Sequence, residues 1–124
     1  MNSLNKIIAI IDDDFLVRKS LERLLAAYGY GTESFASAEE FLEDLATCKA
    51  DCLVLDLNLK NVSGLDLACH PSVRALQRPI IFISGSASED HRRQAFELSG
   101  TACVRKPFKA IDILTAIAKS MRAP

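Results

Sequence analysis

Asp12, Asp13 and Asp14 stand side by side directly after the apolar run IIAII (residues 7–11). Asp56 lies near the end of a second run, DCLVLDL (51–57), Ser84 ends a third, PIIFIS (79–84), and a fourth, TACVR (101–105), leads into Lys106 and Pro107. Carboxylates converging from two such runs repel and raise each other's pKa unless a cation sits among them. Magnesium suits that conflict, because it binds through few carboxylates, keeps several waters and shares its other positions with phosphate oxygens. If Asp56 carried a phosphoryl group, the ion would bridge it to the acidic pair. Ser84 would donate to one phosphoryl oxygen and Lys106 would pair with another, which is the positioning and charge neutralisation that phosphoryl transfer requires.

These residues meet only if the runs are neighbouring strands. The first run is followed by Leu16, Val17, Leu21, Leu24, Leu25 and Tyr28, an apolar stripe at helical spacing that ends at Gly29. After an extended GTESF piece (31–35), Ser37 and Glu40 form a capping box ahead of Phe41, Leu42 and Leu45. Pro71 should interrupt any helix begun near Gly64, so only a short helix is expected there. A further helix is expected between the last two runs, with Ser86 or Ser88 as N-cap and Gly100 at its end. Ile113, Leu114, Ile117 and Met121 put one apolar face on a closing helix. Apolar strands alternating with amphipathic helices imply a parallel sheet covered on both faces, whose crevice lies beyond the strands' carboxyl ends.

IIDDD, VLDLNL with SGLDL after it, IIFISG and VRKPF occur in an order and spacing that resemble the receiver domain of two-component response regulators, over nearly the whole chain. The resemblance implies a single receiver domain over residues 1–124 with a doubly wound, flavodoxin-like (βα)5 fold. Its five-stranded parallel sheet would run in the order 2-1-3-4-5. It implies a signalling switch rather than an enzyme, with Asp56 taking a phosphoryl group from a sensor histidine kinase, a phosphotransfer protein or a small phosphodonor. Asp13 would be the direct magnesium ligand and Asp12 would act through water. Asn58 would lend its backbone carbonyl, Ser84 and Lys106 would contact the phosphoryl group, and the bond before Pro107 would be cis. Output would pass through the face of the fourth helix, fifth strand and fifth helix, to a second copy or an output domain.

Two positions depart from the family pattern. Lys60 stands where a proline is common, and Cys103 where an aromatic switch residue is common. A cysteine cannot sweep an aromatic ring's volume, so phosphorylation is expected to reshape that face by a muted or different route.

Other readings sit beside these. Asp14 is expected to cap the first helix rather than bind metal. A haloacid-dehalogenase-type phosphohydrolase would use Asp12 and Asp14 as its D-x-D pair, but it lacks a later acidic pair and leaves Asp56 without a role. A degenerate receiver would work as a phosphate-independent binding module. Gly64 is expected to serve a turn, His70 and His91 to do nothing catalytic, and the RRQ stretch (92–94) to be a solvated helix face. Cys48, Cys52, Cys69 and Cys103 show no zinc-ligand spacing.

Fifteen basic against sixteen acidic residues, without a basic tract, give nucleic acid no electrostatic footprint on this domain. No apolar run is long enough for a bilayer, and free thiols suit a reducing cytosol, so a cytoplasmic protein is expected. The sequence closes at Pro124 without a DNA-binding segment, as expected of either a stand-alone receiver or the amino-terminal part of a longer regulator.

Overall fold

The computed structural model describes residues 6–85, 93, 94, 97 and 101–122. Five strands, β1 (Ile7–Ile11), β2 (Gly31–Phe35), β3 (Cys52–Asp56), β4 (Ile80–Ser84) and β5 (Thr101–Arg105), form one parallel sheet in the order 2-1-3-4-5. This is the expected doubly wound α/β architecture. Every residue of β3 and β4 is buried, as continuous apolar strands inside a doubly covered sheet must be. β2, at one edge, is polar and half-exposed until Phe35.

The two-residue period of β1 sorts its side chains between two cores. Ala9 and Ile11, with Leu53, Leu55 and Phe82, pack against Phe41 of α2 (Ala38–Glu43) and Leu67 of α3 (Gly64–Cys69). Ile8 and Ile10, with Val54, Ile81 and Ile83, meet Leu21 and Leu25 of α1 (Phe15–Ala27) and Ile113 and Ile117 of the closing helix, α5 (Ala110–Arg122). Each aliphatic side chain so enclosed contributes about 1.5–3 kcal/mol relative to exposure. A one-residue slip would exchange the two sets and expose neither core correctly.

Local signals bound α1 and start α2 where the sequence placed them. Asp14 caps α1, its Oδ1 accepting from Leu16 N at 2.9 Å and Val17 N at 3.4 Å. Gly29 follows the C-cap at φ 90°, a left-handed conformation that glycine adopts without strain. Ser37 Oγ accepts from Glu40 N at 3.1 Å, and Glu40 Oε1 returns to Ala36 N at 3.2 Å. α2 stops at Glu43, and Leu45 belongs to a separate short turn of 3-10 helix (Leu45–Thr47).

α3 ends at Cys69, and Pro71 opens a second short helix, α4 (Pro71–Arg74). Proline costs nothing in a first turn, whose N–H has no helical partner. His70 Nδ1 accepts from Ser72 N at 3.1 Å, so this histidine caps α4. The helix expected between β4 and β5 has Arg93, Gln94 and Glu97 in helical conformation, while Ser86, Ser88, His91 and Gly100 lie outside the described residues. Among the described residues no helix is long and apolar enough to cross a membrane.

Candidate functional site

Register brings the acidic residues together. Ile11 pairs with Leu55, so the next residues along, Asp12 and Asp56, leave the sheet as neighbours on adjacent strands. β4 pairs Ser84 with Arg105 of β5, and Lys106 N donates to Ser84 O at 2.8 Å, setting the lysine beside the serine. The Lys106–Pro107 peptide bond is cis.

Asp12, Asp56 and Ser84 are almost wholly enclosed, at 1%, 3% and 0% exposure, whereas Asp13 is half-buried at the mouth. Asp12, Asp13 and Asp56 each offer a carboxylate oxygen within 4.8 Å of the others. The Lys106 ammonium spans the two buried acids, 3.1 Å from Asp12 Oδ2 and 3.2 Å from Asp56 Oδ2. Their other oxygens are tied to their own loops: Asp12 Oδ1 accepts from Asp14 N and Asp56 Oδ1 from Asn58 N, both at 2.9 Å. Asx turns of this kind hold a carboxylate against the backbone that follows it. Each acid therefore presents Oδ2 to the lysine and keeps Oδ1 as an anchor.

The electrostatics are only partly relieved. Burial, the largest influence, raises the Asp12 carboxyl above the ordinary aspartate range, and Asp56 pushes the same way; the Asp14 N–H and the Lys106 ammonium only partly oppose them. For Lys106, burial pulls the ammonium's pKa down, but the carboxylates of Asp56 and Asp12 outweigh it and the net shift is upward. Asp12 Oδ2 is buried with the Lys106 ammonium beside it, and Ser84 Oγ is buried without a hydrogen-bond partner. A buried hydroxyl with no partner loses its hydration without replacement, a cost that a hydrogen bond to a bound group would relieve. Three clustered hard oxygen donors, with Asp12 and Asp56 buried and the Asp12 carboxyl raised by burial, fit a divalent cation of the hard class.

The loop after Asp56 is closed by a glycine. Gly64 N donates to Leu57 O at 3.0 Å, and a Cβ on Gly64 would lie 2.1 Å from Asp56 O. Gly64 was expected to serve a turn; its requirement is instead steric, the close approach of the start of α3 to the acidic strand end. Lys60, in the same loop, is exposed, and Asn61 beside it takes a left-handed φ of 67°.

Asp14 stays outside the carboxylate group, exposed and engaged in its cap. That removes the D-x-D pair on which a haloacid-dehalogenase-type reading depends. Cys103 is half-buried opposite Phe82 in register and packs on the Phe41 core. One residue near the site had no signal in the sequence: Arg18, on the second turn of α1, donates from Nη1 to Asp12 O at 2.7 Å. A basic residue six positions after an aspartate is too common a pattern to have marked it.

The family described as Response regulator receiver domain matches residues 8–118. Response regulator protein TmoT of Ectopseudomonas mendocina is 34% identical over 122 residues, covering 98% of this chain and 56% of that protein. Transcriptional regulatory protein TdiR of Thauera aromatica is 35% identical over 108 residues, covering 87% of this chain and 48% of that one. The chain thus spans about half the length of the curated relatives it matches. Among solved structures, a CheY-like response regulator receiver domain protein from Methanospirillum hungatei superposes with a TM-score of 0.86 at 26% identity, covering 97% of this chain and 95% of that one. Full-length FixJ from B. japonicum does so with a TM-score of 0.87 at 27% identity, covering 96% of this chain and 59% of the other.

Proposed function

The chain belongs to the response regulator receiver domain family, and on that premise we propose that Asp56 is its phospho-acceptor. A carboxylate oxygen of Asp56 attacks the phosphorus of a phosphohistidine on a sensor histidine kinase or phosphotransfer protein. The N–P bond breaks as the O–P bond forms, and the departing imidazolate nitrogen takes a proton from solvent to leave neutral imidazole. The observation that carries this reading is the convergence at Asp56 of an acidic pair, a bridging ammonium and a buried hydroxyl with no partner.

Magnesium, when bound, supplies the positive charge that screens the acceptor and its incoming phosphoryl oxygens from the acidic pair. Asp12, Asp13, Asp56 and the Asn58 carbonyl are the residues that would hold it. Lys106 neutralises the acceptor before transfer and pairs with a phosphoryl oxygen afterwards. Ser84 donates its hydroxyl to another, acquiring the hydrogen bond it otherwise lacks. That exchange of partners at the ends of β4 and β5 is the step that reshapes the output face, to which β5 and α5 belong. Cys103, on β5, leaves the face without a large swinging ring.

The reading is of a cytoplasmic signalling switch with no catalytic turnover of a separate substrate. It binds neither nucleic acid nor membrane through this domain, and its output face meets a second copy or an output domain. The decisive experiment is labelling from a small phosphodonor in the presence of magnesium. Asp56→Asn should abolish acid-labile phosphate, and phosphate that survives this change would overturn the assignment. Beryllofluoride with magnesium should shift the amide resonances of Ser84 and Lys106 in the parent and leave them in place in Asp56→Asn.

A further inference from the structure

The peptide unit that joins Asp12 to Asp13 has its own clamp. On one side of Asp12 the backbone N–H donates to Phe35 O of β2 at 3.2 Å. On the other, the Asp12 carbonyl accepts from Arg18 Nη1 at 2.7 Å. That carbonyl belongs to the Asp12–Asp13 peptide, so the guanidinium sets the plane from which the Asp13 side chain departs. Arg18 is itself braced. Its Cζ lies 5.7 Å from the centre of the Phe15 ring, one turn earlier on α1, and Phe15 is 57% exposed. The exposed ring is shared, since the Lys19 ammonium also lies 5.4 Å from its centre, and it gives the Arg18 guanidinium a shelf on one side.

We propose that Arg18 is a positioning residue for the divalent cation: it holds the Asp12–Asp13 peptide so that both carboxylates are presented together. The inference rests on reading Asp12, Asp13 and Asp56 as the cation site. Two effects of the guanidinium oppose each other. As a charge it competes with an incoming cation, so removing it would tighten binding. As an anchor it spares the loop from becoming ordered when the cation arrives, so removing it would weaken binding. The contact geometry favours the anchor. Arg18 is bonded to a carbonyl, whereas the carboxylates already have a counter-charge in Lys106 at 3.1 and 3.2 Å.

The test is titration with magnesium alone at fixed ionic strength, read from the amide resonances of Asp13 and Asn58, with thermal unfolding of the ion-free proteins in parallel. Arg18→Ala should weaken magnesium binding by about tenfold, and Phe15→Ala by less. Arg18→Lys, whose ammonium reaches the same carbonyl, should recover most of the affinity. Arg18→Met keeps the aliphatic stem and loses the donors, so it should match Arg18→Ala and stands in for it should the alanine variant not fold. A merely structural role would lower the unfolding temperature and leave magnesium affinity unchanged. Unchanged or tighter binding in the alanine and methionine variants would overturn the inference while the cation site stood. Parent protein that bound no magnesium would overturn both, and Asp13→Ala, which should abolish binding, separates the two outcomes.

Discussion

A methyl group on Gly64 would lie 2.1 Å from the carbonyl oxygen of Asp56 and 2.9 Å from Leu57 Cα. The start of α3 is thus packed directly on the backbone that presents Asp56, with no flexible side chain between them to give way. Gly64→Ala should cost about 1–3 kcal/mol, the usual range for forcing an extra group into a packed interior, measured by urea unfolding. Amide resonances of Leu57 and Asn58 should move with it. A variant as stable as the parent would mean that the loop yields at no cost.

The Asp12 carboxyl is raised by its burial, so it favours the folded state while protonated. That contribution is fully present below 3.8, the ordinary aspartate value, and is lost as pH rises through the folded-state value. In ion-free buffer, Asp12→Asn should therefore gain stability on the parent between about pH 4 and about pH 7. Urea unfolding at the two pH values measures it, and a gap that shrank with rising pH would contradict the burial argument. Magnesium should narrow the gap by stabilising chiefly the parent. The raised Lys106 runs the other way in pH: its stabilising charge is intact at neutrality and is lost only in the alkaline range above its ordinary value of 10.5.

Asp14 accepts from two N–H groups at the start of α1 and takes no place among the clustered carboxylates. Asp14→Ala should cost about 1 kcal/mol, as loss of an N-cap does, and leave magnesium affinity within about twofold of the parent. Were Asp14→Ala to abolish magnesium binding as Asp13→Ala should, the division of labour among the three aspartates would be wrong.

Burial pushes the Cys52 thiol up to about 12 from 9.0, while Cys69 is exposed. Three units correspond to about a thousandfold less thiolate at a given pH. Iodoacetamide at mild alkalinity should label Cys69 in native protein and reach Cys52 only on unfolding, as peptide mapping over time would record. Equal labelling of both in folded protein would show that β3 opens locally.

Much of the site was legible because strand ends in a parallel sheet share one edge. Once the runs around Ile10, Val54, Ile81 and Val104 were identified as strands, Asp12, Asp56, Ser84 and Lys106 had to fall on the same side of the sheet. Asp14 could be separated from its neighbours by the same local reasoning, since the apolar stripe that follows it marks a helix start. Gly64 was legible only as a glycine. Its real constraint is a distance to Asp56, eight residues back through a loop whose path no periodicity encodes.

The sequence by itself determined the elements, their alternation and the residue types delivered to the crevice, because apolar period, caps and turn residues are local properties of the chain. Only the tertiary structure decided which oxygen of each aspartate faces Lys106, that Ser84 Oγ is left without a partner, and that Arg18 reaches back to the Asp12 carbonyl. Those relationships depend on strand register and on the path of α1 relative to the end of β1. They are fixed by packing across the sheet, where ångström differences between non-adjacent residues separate a hydrogen bond from a bare contact.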